Sequence, residues 1–579
     1  MKNIVLLSDG TGNSAGKRHK TNVWRLYQTL NLHNKNQIAM YDDGVGTQEF
    51  LLPRLLGGAF GYGLSRNVIE LYKFLCRNYE DGDKIYLFGF SRGAFTIRIL
   101  AGLIAEHGFR TGFTSESCLE KFAKQAFYVD YRKKYWNYQL LRPIDWLCHW
   151  RYRNKKYCQK KYPKKCPDIE FIGVWDTVGA YGLPVEELRL LWDRFIYPLQ
   201  FKDKKLSNKV IKACHALSID DERHTFHPLL WNENCKKDNQ CIEQVWFPGT
   251  HGDVGGGYPR SELALVSLDW LISKVESNNP ETGLVFCTDL REKCRKQRNW
   301  NGKQHDSRAG LGALYRYKPR DLEAICRKAK SKELFMPCDE ADNKGNPSFT
   351  PKIHRSVFER IKTQVVPYAP TGLPANYQAV DTIRTPVKAS KIEPLESYKQ
   401  AKDRHSAMNC ALDVIFWRRL LYYMFLIVIL VFIAFPVLVA REEAASCTST
   451  GISCLLDPFC KLAKAVTPSI ADYWITAFCQ NPVYASVLFI LLVSLICAKR
   501  LSSASTFDRA TVAWSYVKWG KCPYEWNSTM TSRLRCFWAG YFGKLARKVW
   551  WCLIYLVIAL AILIAVDKVV FHLRDCAGC

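Results

Sequence analysis

The chain has 579 residues, 48% of them hydrophobic and 13% aromatic, which is enough length for several structural units and enough apolar mass for buried cores. That composition excludes a disordered chain, and 82 Lys and Arg against 54 Asp and Glu leave a net charge of +28, directing attention to nucleic acid or an anionic membrane surface as partner. The 23 cysteines stand mostly inside apolar or helical stretches without zinc-ribbon spacing, so most read as thiols of a reducing compartment.

The N-terminal Met1-Lys2-Asn3 runs straight into the apolar Ile4 to Leu7, too short a run for a signal-peptide core, so the chain is expected to start as a folded domain. Through the first 410 residues, short β-forming runs alternate with Gly-rich turns and helical spacing, which predicts an α/β fold with a mostly parallel sheet. The predicted strands are Ile4 to Ser8, Ile38 to Tyr41, Ile85 to Phe88, Ile169 to Trp175 and Gln244 to Phe247. Each runs into a polar or Gly-rich cluster: Asp9-Gly10-Thr11-Gly12, Asp42-Asp43-Gly44, Gly89-Phe90-Ser91-Arg92-Gly93, Asp176-Thr177, and Pro248-Gly249-Thr250-His251-Gly252-Asp253. In an open parallel sheet, chemistry gathers at the carboxyl ends of the strands.

The third cluster, in KIYLFGFSRGAF, is a G-x-S-x-G between a strand and the helical spacing of Ala94 to Glu106, the context of a nucleophile elbow. Gly89 and Gly93 are expected because a side chain at either place would strike the neighbouring strand or helix. A serine there also suits a helix N-cap, but its strand-to-helix placement favours the nucleophile. A hydroxyl needs a base to take its proton and a carboxylate to hold that base. Ser91, Asp176 and His251 follow in the Ser, acid, His order of α/β-hydrolases. His215, His224, His227 and His305 compete with His251, and Asp9 and Asp253 compete with Asp176. Asp253, two residues from His251, fits a loop-shaping part better. The backbone N–H of Arg92 is the expected first oxyanion donor and that of Gly10 or Thr11 the second. The Gly10 loop lacks the Lys-Ser/Thr ending of a phosphate-binding P-loop.

Beyond the elbow, a basic, aromatic insertion over about 120–168 interleaves Tyr128, Tyr131, Tyr135, Trp136, Trp146, Trp150 and Tyr152 with Lys and Arg pairs. It reads as a solvated face, a nucleic-acid surface, or a lid at an anionic bilayer; the apolar runs farther along favour the bilayer, and no nucleic-acid module is recognisable. Residues 376–415 read as a linker and 416–579 as a membrane region with candidate spans 420–440, 483–498 and 550–566. Arg418 and Arg419 before the first span, and the Lys- and Arg-rich 499–548, place the N-terminal part on the cytoplasmic side of a multi-pass protein. A secreted effector inserting from the other side would invert this. The connection with Cys447, Cys454, Cys460 and Cys479 then faces outward, where disulfides form, with pairing undetermined. The final Cys576-Ala577-Gly578-Cys579 is one C-x-x-C without a second pair.

Together LLSDGTGNS, YDDGVGT, FGFSRGAF, FIGVWDTVGAYG, HALSIDDERHTFHP, VWFPGTHGDVGGGY and IHRSVFERI resemble, over about residues 1–375, the bacterial and fungal α/β-hydrolase domain family that includes the type VI secretion phospholipase effectors of the first class. The resemblance implies that Ser91, Asp176 and His251 form a catalytic triad and that the activity is hydrolysis of phospholipid or related acyl esters. The basic insertion and the apolar spans depart from what it covers. The expectation is therefore a membrane-anchored serine esterase that needs no metal or redox cofactor, with an inactive hydrolase-fold signalling or binding module as the alternative. A secretion-system or immunity partner stays open.

Overall fold

The computed structural model describes residues 1–11, 13–44, 58–131, 162–179, 206–233, 240–277, 283–330, 350–363, 365–382, 396–439, 452–467, 471–521 and 530–537. Its centre is an eight-stranded, wholly parallel sheet in the order β10-β9-β8-β7-β6-β3-β1-β2. The strands are β1 (Asn3–Ser8), β2 (Gln37–Asp42), β3 (Lys84–Phe90), β6 (Ile169–Trp175), β7 (Val210–Ser218), β8 (Cys241–Phe247), β9 (Lys352–His354) and β10 (Gln378–Val380). The short β4 (Phe109–Arg110) and β5 (Lys164–Lys165) pair antiparallel in a separate ribbon.

All five predicted strands are present, each at or within a few residues of its expected bounds. Of the strands not predicted, β7 has Lys212, Cys214 and His215 breaking its apolar run, and β9 and β10 are three residues long. Helices cover both faces of the sheet, as parallel strands require. On one face, the helices Gly58–Asn78 and Arg92–His107 pack Leu71, Leu75, Ile97 and Leu100 against Ile4, Leu6, Ile85 and Leu87. On the other, Asn22–Thr29 and Ala264–Glu276 pack Val23, Leu26, Leu268 and Trp270 against Val5, Leu7, Tyr86 and Phe88. Alternation along each strand thus feeds two cores and leaves both sheet faces dry.

Contacts divide the chain into two units. The first joins Met1–Ala407 to a returning segment, Thr511–Glu525. Within it, the stretch expected as a linker carries β10 and the helix Tyr398–Ala407. The returning segment is held there by Trp514, which is fully buried, donates from Nε1 to the Pro370 carbonyl at 2.9 Å and lies 4.2 Å from the Arg404 guanidinium. Arg404 is itself bound to Glu396 and to the carbonyls of Leu373 and Pro374.

The second unit carries the helices Asn409–Leu438 and Pro482–Ala513 as far as Ala510, with Ile452–Val466 and Asp472–Gln480 between them. Among the described residues, these two long helices are long and apolar enough to cross a membrane, by length and composition. They contain the candidate span 483–498 and the first span as far as Leu438; the third, 550–566, lies outside the described residues, as does most of the basic insertion. Cys460 and Cys479 form a disulfide in the connection between the long helices.

Candidate active site

The site is assembled by backbone ladders that continue past the strand ends. Ser91 N–H donates to the Trp175 carbonyl at 3.0 Å, Asp176 N–H to Ala216 at 2.8 Å and Ile219 N–H to Phe247 at 3.0 Å. The residues that follow β3, β6, β7 and β8 are therefore fastened along one rim.

Ser91 has φ +58°, a conformation that costs a side-chain-bearing residue energy and that surrounding contacts must hold. The flanking glycines explain how it is held. A Cβ on Gly89 would stand 2.7 Å from Ala94 N and the Gly93 carbonyl, and one on Gly93 2.1 Å from the Ser8 carbonyl. Both distances are far below van der Waals contact, so the elbow closes only with glycine there. The helix Arg92–His107 begins at once, and its first N–H groups have no partner within the helix.

Ser91 Oγ lies 2.8 Å from His251 Nε2, and His251 Nδ1 lies 2.6 Å from Asp176 Oδ2. The carboxylate partner assigns the tautomer: Nδ1–H donates to Asp176, leaving Nε2 to accept the serine proton. Burial lowers the His251 imidazole, outweighing the upward pull of Asp176. His251 is packed between Phe90 (4.6 Å between ring centroids) and Phe226 (5.1 Å).

Asp176, also at positive φ (+37°), is fully buried. Its Oδ1 accepts from Ser218 N–H at 3.0 Å, and both oxygens are gripped by Arg320. Burial alone would push this carboxyl up, but Arg320 and then His251 hold it far below the usual carboxylate range. Beside it, Asp221 Oδ2 accepts from the His251 backbone N–H at 3.2 Å and is paired with Arg223, whose guanidinium lies 3.5 Å over the Phe226 ring.

The competing candidates are engaged elsewhere. Asp9 accepts from Thr21 Oγ1 (2.5 Å), Tyr41 OH (2.7 Å) and the Gly10 N–H (2.6 Å). The Gly10 N–H is thereby committed to its neighbour's carboxylate, and Thr11 is the donor carried forward from that loop. The loop still presses on the elbow, since a Cβ on Gly10 would lie 3.2 Å from Ser91 Cβ. Asp253 accepts from Thr250 and binds His305 Nδ1 at 2.7 Å, and His305 stacks on Tyr258. His215 is fully buried in β7, where its Nε2 accepts from Thr177 N–H at 3.1 Å and burial lowers it to about 3, a neutral brace under the Asp176 turn. Asp221, Arg223 and Ser218 lie within HALSIDDERHTFHP, so a signal for them was present in the motif; Arg320 had none. Among the described residues, no group of three or more His, Cys, Asp or Glu could hold a metal ion.

A parallel α/β sheet with a serine at a strand-to-helix elbow, in hydrogen-bonded line with an imidazole and a carboxylate, has the site geometry of the α/β-hydrolase class. Residues 2–274 match the family described as "T6SS, Phospholipase effector Tle1-like, catalytic domain". The uncharacterized protein YEL023C of Saccharomyces cerevisiae is 33% identical over 243 residues, 39% of this chain and 32% of that protein. The chain thus spans about a third of the curated relative's length. A crystal structure of an uncharacterized protein from Pseudomonas aeruginosa aligns with 93% of this chain and 66% of its own, at 13% identity and a TM-score of 0.30, a likeness too slight to carry an argument.

Proposed function

We propose that the protein is a membrane-anchored serine hydrolase that cleaves acyl esters, phospholipids foremost. The observation that carries this reading is the continuous line from Ser91 Oγ to His251 Nε2 and from His251 Nδ1 to Asp176 Oδ2, at 2.8 and 2.6 Å. His251 takes the Ser91 proton as Oγ attacks the acyl carbonyl, and Asp176 steadies the imidazolium that forms. The N–H groups of Arg92 and Thr11 receive the oxyanion. His251 then returns the proton to the leaving alcohol, and water activated by the same imidazole releases the fatty acid.

Phospholipid is favoured as substrate by the family of residues 2–274 and by the two long apolar helices on the same chain. Those helices serve as the anchor in this reading. The Lys and Arg flanking them support a cytoplasmic catalytic unit, and a secreted effector that acts on a target membrane is the inverse arrangement.

The test is a comparison of full-length protein with Ser91→Ala. The variant is expected to stay folded, lose labelling by a fluorophosphonate probe, and lose ester hydrolysis by about 10³-fold or more. Mass spectrometry of phospholipid vesicles incubated with each would show free fatty acid with wild type alone. Hydrolysis unchanged in Ser91→Ala would remove the serine from the mechanism.

A further inference from the structure

The partner of Asp176 comes from a part of the chain beyond the matched segment 2–274. Arg320 is fully buried, and its Nη1 and Nη2 reach Asp176 Oδ1 at 2.7 Å and Oδ2 at 2.8 Å. That two-pronged fit matches a planar guanidinium to a planar carboxylate, which fixes orientation as well as distance. Nη1 also donates to the Ser218 carbonyl at 2.5 Å and to its Oγ at 2.6 Å, and Nη2 to the Phe226 carbonyl. The guanidinium is therefore anchored to the loop after β7 independently of Asp176.

The backbone that delivers Arg320 is fastened along that same loop. His224 N–H donates to the Arg316 carbonyl at 2.9 Å, Lys318 N–H to Glu222 at 2.8 Å, and the Lys318 carbonyl lies 2.9 Å from His227 Nε2. Behind it, a Cβ on Gly372 would lie 2.0 Å from the Arg320 carbonyl, so that approach is open only to glycine. One oxygen of Asp176, Oδ2, serves both Arg320 and His251. Turning the carboxylate plane must therefore displace the imidazole from Ser91.

We propose that Arg320 is a positioning residue for hydrolysis, gripping both oxygens of Asp176 so that the carboxylate holds the His251 imidazole in line with Ser91 Oγ. The inference rests on the triad reading above. It also has an electrostatic consequence. A carboxylate paired with a guanidinium attracts a proton on His251 less strongly than a bare one, so Arg320 keeps the base neutral to lower pH. Without Arg320, either the bare carboxylate raises His251 or the buried Asp176 takes a proton itself. Both move the acid limb of kcat/KM upward.

The experiment uses full-length protein in detergent, nitrophenyl butyrate as substrate, and pH profiles of kcat/KM for wild type, Arg320→Met, Arg320→Lys, Ser91→Ala and a control, Arg360→Met. Arg360 is equally buried but binds the carbonyls of Trp300 and Gly302, away from Asp176. Arg320→Met is expected to lower kcat about 10- to 100-fold with KM within about 2-fold, and to raise the acid limb by at least about 0.5 pH units. Arg320→Lys, which keeps the charge without the fork, should lose kcat with a smaller pH displacement. Arg360→Met should lower thermal stability and leave the limb in place.

A folded Arg320→Met with unchanged kcat and acid limb overturns the inference, as does an equal limb displacement in Arg360→Met. Should Arg320→Met fail to fold, Arg320→Lys decides, and kcat within about 2-fold of wild type overturns it. Hydrolysis lost in Ser91→Ala but untouched in Arg320→Met defeats this inference alone. Hydrolysis retained in Ser91→Ala defeats the triad reading and this inference with it.

Discussion

The rim that carries Ser91, His251 and Asp176 and the two long helices invert the usual distribution of polarity in opposite ways. At the rim, Asp176 and Arg320 are fully buried, while on the helix Pro482–Ala513 Val487 and Ile490 are 61% and 63% exposed. A buried charge is tolerable only when paired and hydrogen-bonded, and the rim supplies Asp176 with Arg320, Ser218 and His251. An exposed apolar stripe is tolerable when the surrounding medium is itself apolar. The helices, about 45–48 Å long at 1.5 Å per residue, exceed the roughly 30 Å hydrocarbon layer. One region solves its polarity problem within the protein; under the proposed membrane anchoring, the other is solved by the surrounding medium.

The sharpest way to break that comparison is to charge the exposed stripe. Val487→Asp combined with Ile490→Asp should cost about 5–7 kcal/mol of insertion, at about 2.5–3.5 kcal/mol per acidic residue near a span centre. Carbonate extraction of membranes would then release the variant, and retention equal to wild type would remove this helix as an anchor. Asp176→Asn attacks the other region. It should lower kcat by about 10³- to 10⁴-fold per folded molecule, because an amide cannot hold His251 in the required tautomer, and it should also cost stability by leaving buried Arg320 without its carboxylate. Activity within 10-fold of wild type would mean that another group orients the base.

Trp514→Ala tests the buried fastening within the catalytic unit. Losing this ring, its bond to Pro370 and its contact with Arg404 should cost about 3–5 kcal/mol, read as a lower midpoint of denaturant unfolding. A change under about 1 kcal/mol would show that the returning segment is held by other contacts. The smallest effect is on pH. With His251 lowered by burial, the base stays neutral below the ordinary histidine value near 6.5, so kcat/KM should fall to half only at a pH below that. A midpoint above 6.5 would place the titrating group elsewhere. His215, lowered to about 3, works on stability instead. The unfolded chain gains a proton as pH falls through about 6.5 while the folded one resists, so stability declines from there towards about 3 and is unaffected above.

The rim was legible because each of its three central residues lies just past an apolar run in the sequence. Strand ends converge by the topology of a parallel sheet, so local order along the chain became proximity in space. The same rule failed for β7, whose Lys212 and His215 disguise a strand that the fold buries by satisfying the imidazole with backbone and Gln244. Arg320 was illegible for a different reason. Its carboxylate is 144 residues upstream, and nothing around Tyr317-Lys318-Pro319-Arg320 distinguishes it from a solvent-facing arginine. Pairing of distant charges in an interior is a property of packing, which local pattern does not encode. For the helices, composition revealed length and polarity but left cysteine pairing open, and the disulfide joins Cys460 to Cys479.

The return of the chain to the first unit at Thr511 sets a parity rule for any membrane crossing between. A polypeptide that leaves a body at Ala407 and rejoins it near Trp514 can traverse a bilayer only an even number of times in between. Two crossings, one by each of the helices long and apolar enough, would satisfy that arithmetic.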